Sequence, residues 1–445
     1  MRIIVLSFFF LFLSKISAFA LGEITEFKLE NGLEIIVIED HRAPIVTHMV
    51  YYRVGSADEP AGKSGIAHYL EHLMFKGTEK LGPGELTKIV DANGGFDNAF
   101  TSYDYTGYFQ VVAADRLELM MEMEADRMQN LVLTDELVLP ERDVILEERA
   151  QRTDSNPNGL AGEHRRSLMF VNHPYGIPVV GWRHEMETLS KADALDFYEK
   201  FYAPNNAILI VAGDVIPDEV LALAKKHYGP ADPSEAIKPR MRAQEPPKRA
   251  PVSTVFEDPR ISQPYLIREY LAAPRRAGDQ KEAAALLVFS ELFAGSGVTS
   301  YLGQRLILEE KSALNVSAWH TTQSYDPSTF GMYVLPADGF TLEEMEKKLD
   351  QAILEYLEEG VDLDHLARIK KSIRASEIYA LDDLEGTARS YGEALTQGLT
   401  VEDVKQWPRV IEQVTADEIL EAASRMLKPK NSVTTYVRAP KGDEK

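Results

Sequence analysis

The sequence contains no cysteine. Disulfides, thiolate nucleophiles and cysteine-ligated metals are thereby excluded, so any bound metal must be held by imidazole, carboxylate or carbonyl groups. Positive charge is also in short supply. Lys and Arg number 48 against 70 Asp and Glu, which leaves a net charge of −22. With no basic block to offset that total, the chain is a poor match for a nucleic-acid backbone. Long hydrophobic runs are missing as well: the most apolar stretch, Ile3–Leu13, is eleven residues. A membrane-spanning helix needs ~20.

That stretch belongs to a segment with its own logic. "MRIIVLSFFFLFLSKISAFA" has a basic start at Arg2, the apolar run, and Ala18-x-Ala20 before Leu21. These are the three regions of a secretory signal peptide, so residues 1–20 are expected to direct export, most simply to a bacterial periplasm; the other reading is an uncleaved anchor. No cysteine follows to carry a lipid. Removal of Arg2 and Lys15 would leave the mature chain more acidic still.

The remaining chain is 44% hydrophobic within 445 residues. Single cores stop growing at about 250–300 residues, so at least two domains are expected. "FKLENGLEIIVIED" places alternating runs on either side of Asn31-Gly32, a hairpin signal. Residues 44–56 read as a further strand, and 96–113, rich in Thr, Tyr and Phe, as strand-turn-strand. Helices are expected within the His-bearing stretch "GKSGIAHYLEHLMFKGTEKL" (62–81), over "GELTKIVDANGG", and over 114–130, 134–153 and 189–201, before the strand "AILIVAGDV". Residues 229–253 hold six prolines with alternating charge and read as a linker. Strands (253–257, 263–272, 313–321, 329–336) and helices (280–295, 299–311, from 341 onward) then follow in an order like that of the first half, closing on "SVTTYVRAP". "SGVTSYLGQRLILEEK" (296–311) aligns without a gap on "SGIAHYLEHLMFKGTE" (64–79), with Ser300, Gly303 and Gln304 where the first copy has His68, Glu71 and His72. The expectation is an α+β fold of two homologous domains, 21–228 and 254–445, each an antiparallel sheet flanked by helices, with ligand-type residues kept only in the first copy.

Those three residues pose the chemical question. At about 100° per residue, Ile66, Leu70 and Leu73 form the core stripe of a helix, and His68 and His72 sit one turn apart on the opposite side with Glu71 at its flank. Two imidazoles and a carboxylate are costly to desolvate without a partner. Imidazoles spaced i, i+4 can both ligate one metal ion, and in H-x-x-E-H the Glu stays free beside them as a general base. A catalytic zinc needs a third protein ligand and an open position. "PERDVILEERAQ" offers Glu141 and Glu148 on one helix face, two turns apart, with Glu147 as a rival for third ligand.

H-x-x-E-H followed by Glu148, 76 residues after His72, resembles the pitrilysin/insulinase family of zinc metallopeptidases, the inverzincins, in its processing-peptidase branch. "NAFTSYDYT", "HPYGIPVVG" (173–181) and "YAPNNAILIVAGD" (202–214) extend the resemblance over nearly the whole mature chain. The resemblance implies one Zn²⁺ per chain, held by His68, His72 and Glu148, with Glu71 activating water and Glu141 orienting a ligand. It implies a clamshell of two halves around a peptide chamber, and a substrate strand in which Asn98, Ala99 and Phe100 face an extended peptide. His48, His164 and His173 carry no metal role. One departure stands out. Self-sufficient members have an Arg and, seven residues on, a Tyr in the second half. In 299–319 the only Arg is Arg305, followed at that spacing by Ser312, and the aligned positions hold Ile307 or Leu308 with Leu314 or Asn315. A zinc-less homologous subunit supplying that pair is therefore the expected partner, or else a homodimer; the alternative is a chain that works alone with other donors. The competing expectation is a non-catalytic assembly subunit with a vestigial site.

Overall fold

The structure is a computed structural model that describes residues 22–440. The exported segment expected over 1–20 lies outside the described residues. Two sheets organise the chain. The first contains β1 (Ile24–Lys28), β2 (Glu34–Glu39), β3 (Ile45–Tyr52), β4 (Phe96–Thr101), β5 (Thr106–Ala113) and β6 (Ala207–Gly213), in the order β1-β2-β6-β3-β5-β4. The second contains β7 (Val252–Glu257), β8 (Tyr265–Ala272), β9 (Ala313–His320), β10 (Ser328–Pro336) and β11 (Ser432–Arg438), in the order β7-β11-β8-β10-β9. Apart from β1 the orders superpose strand for strand, and in each sheet the first strand of that shared order runs parallel to its neighbour: β2 with β6, and β7 with β11. The fold is thus the expected two-domain α+β arrangement, with mixed rather than purely antiparallel sheets. The reason is topological. β6 and β11 return to the sheet after long helical excursions, so their direction is set by where the chain re-enters and not by a local turn.

Asn31-Gly32 does form a hairpin, with Lys28 opposite Glu34 and Leu29 N–H bonded to the Leu33 carbonyl at 2.9 Å. Asn31 has a second use: its side-chain amide donates to the carbonyls of Tyr228 and Ala231.

Each sheet is apolar on both faces because each domain lends the other a cover. On the inner face of the first sheet, Val46, Val50, Leu209 and Val211 pack with Ile66, Leu70 and Leu73. On its outer face, Ile36, Met49, Tyr51 and Ile210 meet Ala388, Tyr391 and Val401 from the second half. Helix Leu384–Thr396 can come this close because residue 392 is Gly; a Cβ there would lie 2.2 Å from the Tyr51 ring. Reciprocally, helix Pro157–Met169 sends Ala161 and Met169 against Val437 and Val433 of the second sheet.

The proline-rich stretch is pinned, not loose. Arg242 is buried among Asp58, Asp104 and Asp326, at 2.9, 2.5 and 3.1 Å, which come from both halves of the chain. Composition gave no hint of this tie, since the aspartates are scattered through turns. No helix among the described residues is long and apolar enough to cross a membrane.

Candidate active site

Helix Ile66–Leu73 starts at Gly65, in the left-handed region at φ 89°. Its first N–H groups are capped by carboxylates: Glu59 accepts from Gly65 and Ala67 at 3.0 and 2.9 Å, and Glu185 accepts from Ser64 at 2.8 Å. Side-chain oxygens that accept from these N–H groups satisfy donors with no partner inside the helix, so these caps fix where the helix begins and which way its His face turns. Gly65 and Gly181 allow the segment 173–181 to lie against this start; a Cβ on either would come within 2.5 Å of a backbone carbonyl. That contact brings Val179 and Val180 to the wall of the cavity described below.

Helix Asp135–Arg149 crosses the same face. The two imidazoles are near-perpendicular, with centroids 4.8 Å apart. Glu148 Oε2 lies 3.6 Å from His68 Nε2 and 3.4 Å from His72 Nε2. The three ligand-type atoms lie within 4.8 Å of one another, and this is the one such convergence of three or more His, Asp or Glu among the described residues. Glu141 Oε1 sits 3.0 Å from His72 Nδ1, and its other oxygen is paired with Lys76. A carboxylate on Nδ1 fixes the tautomer and leaves the Nε2 lone pair for the cavity. Glu147, the rival in the sequence, turns elsewhere and accepts from Gln151 Nε2 at 2.9 Å.

Protonation follows the surroundings. Burial is the main influence on His68 and pushes it down to about 3, so it stays a neutral donor. His72 feels burial too, yet the hydrogen bond to Glu141 and the nearby carboxylates outweigh it and raise its pKa. Burial raises Glu71, against the opposing hydrogen bond from Thr101 Oγ1 to its Oε2 at 2.6 Å.

These groups line a cavity of about 540 Å³, together with Asn98, Ala99, Phe100 and Thr101 of β4 and with Arg152. β4 is the edge of its sheet, paired only with β5, so its other side has no strand partner; there the Ala99 N–H donates to Asn98 Oδ1 at 2.9 Å. Ala99 and Thr101 face the His-bearing helix, whereas the Phe100 ring packs on the opposite face against Tyr51 and under Arg389. A second groove of about 480 Å³, between helices Leu363–Ala380 and Val401–Gln413, is rich in Lys and Arg and holds no comparable acid–base set.

The sequence reading missed three residues here. Thr101 shares a strand face with Ala99, and Lys76 and Arg152 stand four residues beyond His72 and Glu148 on their helices, so helical spacing could have flagged the last two. The other histidines are engaged elsewhere. His48 contacts Gln110 and Tyr228, His164 contacts Thr254, and His173 accepts from Tyr175 N–H.

The profile of insulinase (peptidase family M16) matches residues 34–182, and that of the peptidase M16 inactive domain matches 188–373. A zinc protease of Helicobacter pylori, PqqE, is 30% identical over 413 residues, spanning 92% of this chain and 91% of the relative. The chain belongs to the M16 insulinase family. Among solved structures, a protease from Helicobacter pylori matches this M16 chain with a TM-score of 0.86 and 28% identity, covering 94% of this chain and 99% of that one. The periplasmic protease PqqL of Escherichia coli shares the fold at a TM-score of 0.79 and 20% identity; this chain spans 93% of itself but only 47% of PqqL. In the second half of this M16 chain, the segment aligned with the His-bearing helix is a distorted helix, Gly303–Glu309, of wide-turn geometry. There Arg305 is bound to Glu310 and Glu355 within its own domain.

Proposed function

We propose that this chain is an exported zinc endopeptidase that hydrolyses peptides or small unfolded polypeptides, and that it acts as the catalytic subunit of a two-chain assembly. The observation that carries the reading is the meeting of His68, His72 and Glu148 within 4.8 Å of one another beside Glu71 and an open strand edge. Two imidazole nitrogens and one carboxylate oxygen suit zinc, and three protein ligands leave the open position that distinguishes catalytic from structural sites. Zinc bound there would supply Lewis acidity, acidifying a water molecule and polarising a peptide carbonyl. The unit bearing it would be 21–228, and the unit without ligands 254–445, with 229–253 between them.

Glu71 is the general base in this reading. Its carboxylate takes a proton as the peptide carbonyl is attacked and returns it to the departing amine. Burial, which raises its pKa, makes it a better proton acceptor, and Thr101 holds one of its oxygens. The free edge of β4 would add an extended peptide as a further strand at Asn98, Ala99 and Phe100, a mode that is tolerant of sequence because the backbone makes the bonds.

Export is supported by the signal-like residues 1–20, and by a structural neighbour described as a periplasmic protease. The partner is argued from the missing Arg/Tyr pair: Arg305, the one Arg of 299–319, is committed to Glu310 and Glu355. PqqL is about twice as long as the matched region, a length at which one chain holds two such units. The rival reading, an assembly subunit with a vestigial site, predicts zinc without turnover. Metal analysis of freshly purified protein combined with a chelator-sensitive peptide assay, run with and without a zinc-less homologue, separates the two. Absence of zinc overturns both.

A further inference from the structure

We propose that Arg152 is a positioning residue that restricts Glu148 to ligation through a single oxygen, an inference that rests on the zinc reading above. The environment of Glu148 is split. Oε2 points between the two imidazoles, at 3.6 and 3.4 Å from their Nε2 atoms, while Oε1 is bound by Arg152 Nη1. The carboxylate is 18% exposed and the arginine side chain 77% exposed, so the guanidinium closes over Glu148 from the solvent side. An exposed i, i+4 pair contributes little to stability, so its importance lies in what it does to the carboxylate.

The chain that carries Arg152 is held on both sides. Residues Ala150–Asp154 form a wide π-helical turn at the end of helix Asp135–Arg149, a geometry common at functional sites. Just before it, Arg149 donates to both oxygens of Glu163, at 2.8 and 2.9 Å, and to the Gly181 carbonyl at 2.8 Å. Just after it, Asp154 is paired with Arg149 at 3.3 Å and with Arg183 at 3.2 Å. Within this frame adjacent residues sort adjacent carboxylates: Gln151 draws Glu147 away from the cavity, and Arg152 holds Glu148 inside it. Among the described residues the nearby cations are committed elsewhere: both terminal nitrogens of Arg149 are engaged by Glu163, Gly181 and Asp154, and Lys76 is engaged with Glu141.

The chemical consequence concerns the open position. A carboxylate that offers both oxygens adds a donor to the metal and competes for the place a water or a peptide carbonyl requires. A guanidinium on Oε1 withdraws that donor, and its rigid fork suits a carboxylate better than a lysine ammonium does. Ligands oriented by partners of this kind lose about 10- to 100-fold in metal affinity when the partner is removed.

The test uses the full chain, stripped of metal and reloaded with Zn²⁺ or Co²⁺. Arg152→Ala and Arg152→Gln are expected to bind zinc about 10- to 100-fold more weakly in chelator competition. Their Co²⁺ absorption should also weaken and shift, as the released oxygen raises the coordination number. Arg152→Lys should recover much of the affinity and keep the wild-type spectrum. Arg425→Ala, which removes the same charge at a site paired only with Glu282 and Glu421, should change neither. Wild-type affinity and an unchanged Co²⁺ spectrum in both Arg152→Ala and Arg152→Gln would overturn the inference. Failure of the wild-type chain to take up metal would overturn the zinc reading itself, a separate result. Should Arg152→Ala not fold by circular dichroism, the Gln and Lys variants carry the comparison.

Discussion

Thr101 donates its hydroxyl to Glu71 Oε2 at 2.6 Å, tying the edge strand to the helix that carries both imidazoles. The bond leaves the other Glu71 oxygen for the cavity and sets its direction. General bases contribute about 10²- to 10⁴-fold. Glu71→Gln should therefore lower kcat by about that factor while zinc content and thermal stability stay at wild-type values. Thr101→Val should cost less, on the order of 10-fold in kcat, or about 1.4 kcal/mol. Peptide turnover by Glu71→Gln at the wild-type rate would remove Glu71 from the role of base.

Glu147 and Glu148 are neighbours in sequence and differ in partners, which makes them a matched pair. Glu148→Gln should abolish stoichiometric zinc, because it weakens the one oxygen between His68 and His72. Glu147→Gln should retain zinc and lose only its contact with Gln151. Elemental analysis after gel filtration reads both outcomes. Zinc loss in the Glu147 variant alone would reverse the ligand assignment.

Activity of the isolated chain tests the partner. Removing one donor that stabilises an oxyanion costs about 10²- to 10³-fold. The purified chain should accordingly turn over an unfolded peptide that much more slowly than a mixture with a zinc-less homologue carrying the Arg/Tyr pair. An equal rate for the two preparations would mean that this chain completes its own site.

How much of this could be read in advance depends on distance along the chain. The His68, Glu71 and His72 face and its apolar back, Ile66, Leu70 and Leu73, share one short helix, where a period of 3.6 fixes both. Asn31-Gly32 is equally local. The parallel pairing of β2 with β6 is not, because nothing within "AILIVAG" states its direction. Likewise Tyr391 and Ala388 look like ordinary residues of an amphipathic helix, and only tertiary packing sends them to the sheet of the other half. Arg242 is the sharpest case. Inside a proline-rich, charged stretch it reads as solvated linker, yet three aspartates separated by long spans of sequence enclose it.

That enclosure makes a stability prediction. Arg242 is buried, and Asp58, Asp104 and Asp326 would be left without their shared cation in Arg242→Met. Breaking a buried ion pair from one side costs about 3–5 kcal/mol. Asp326 shows the strength of the coupling: burial works against its charged form, but His173 and Arg242 together hold it at about 2. The variant should melt at a markedly lower temperature and become sensitive to proteolysis between residues 229 and 253. A melting temperature equal to wild type would show that the aspartates find other partners.

His320 supplies the pH dependence. It lies at the end of β9 with Nε2 3.1 Å from the Ala273 carbonyl, and burial pushes its pKa down to about 4. An unfolded histidine titrates near ~6.5. As pH falls, the unfolded chain takes up this proton first. The stabilising contribution is therefore complete above ~6.5, declines below it, and is gone once pH has passed through about 4, a total on the order of 3 kcal/mol. His48 is buried and shifted in the same direction, so it adds to the same acid slope. Asn at position 320 can still donate to Ala273 without acquiring charge. His320→Asn should therefore be less stable than wild type at pH 7.5 and close the gap by pH 4.5, with His48 leaving a residual slope in both. Metal-free protein should be compared in each case, so that release of zinc by protonated ligands does not enter. Parallel stability curves for the two proteins across that range would show that His320 is not the group that titrates.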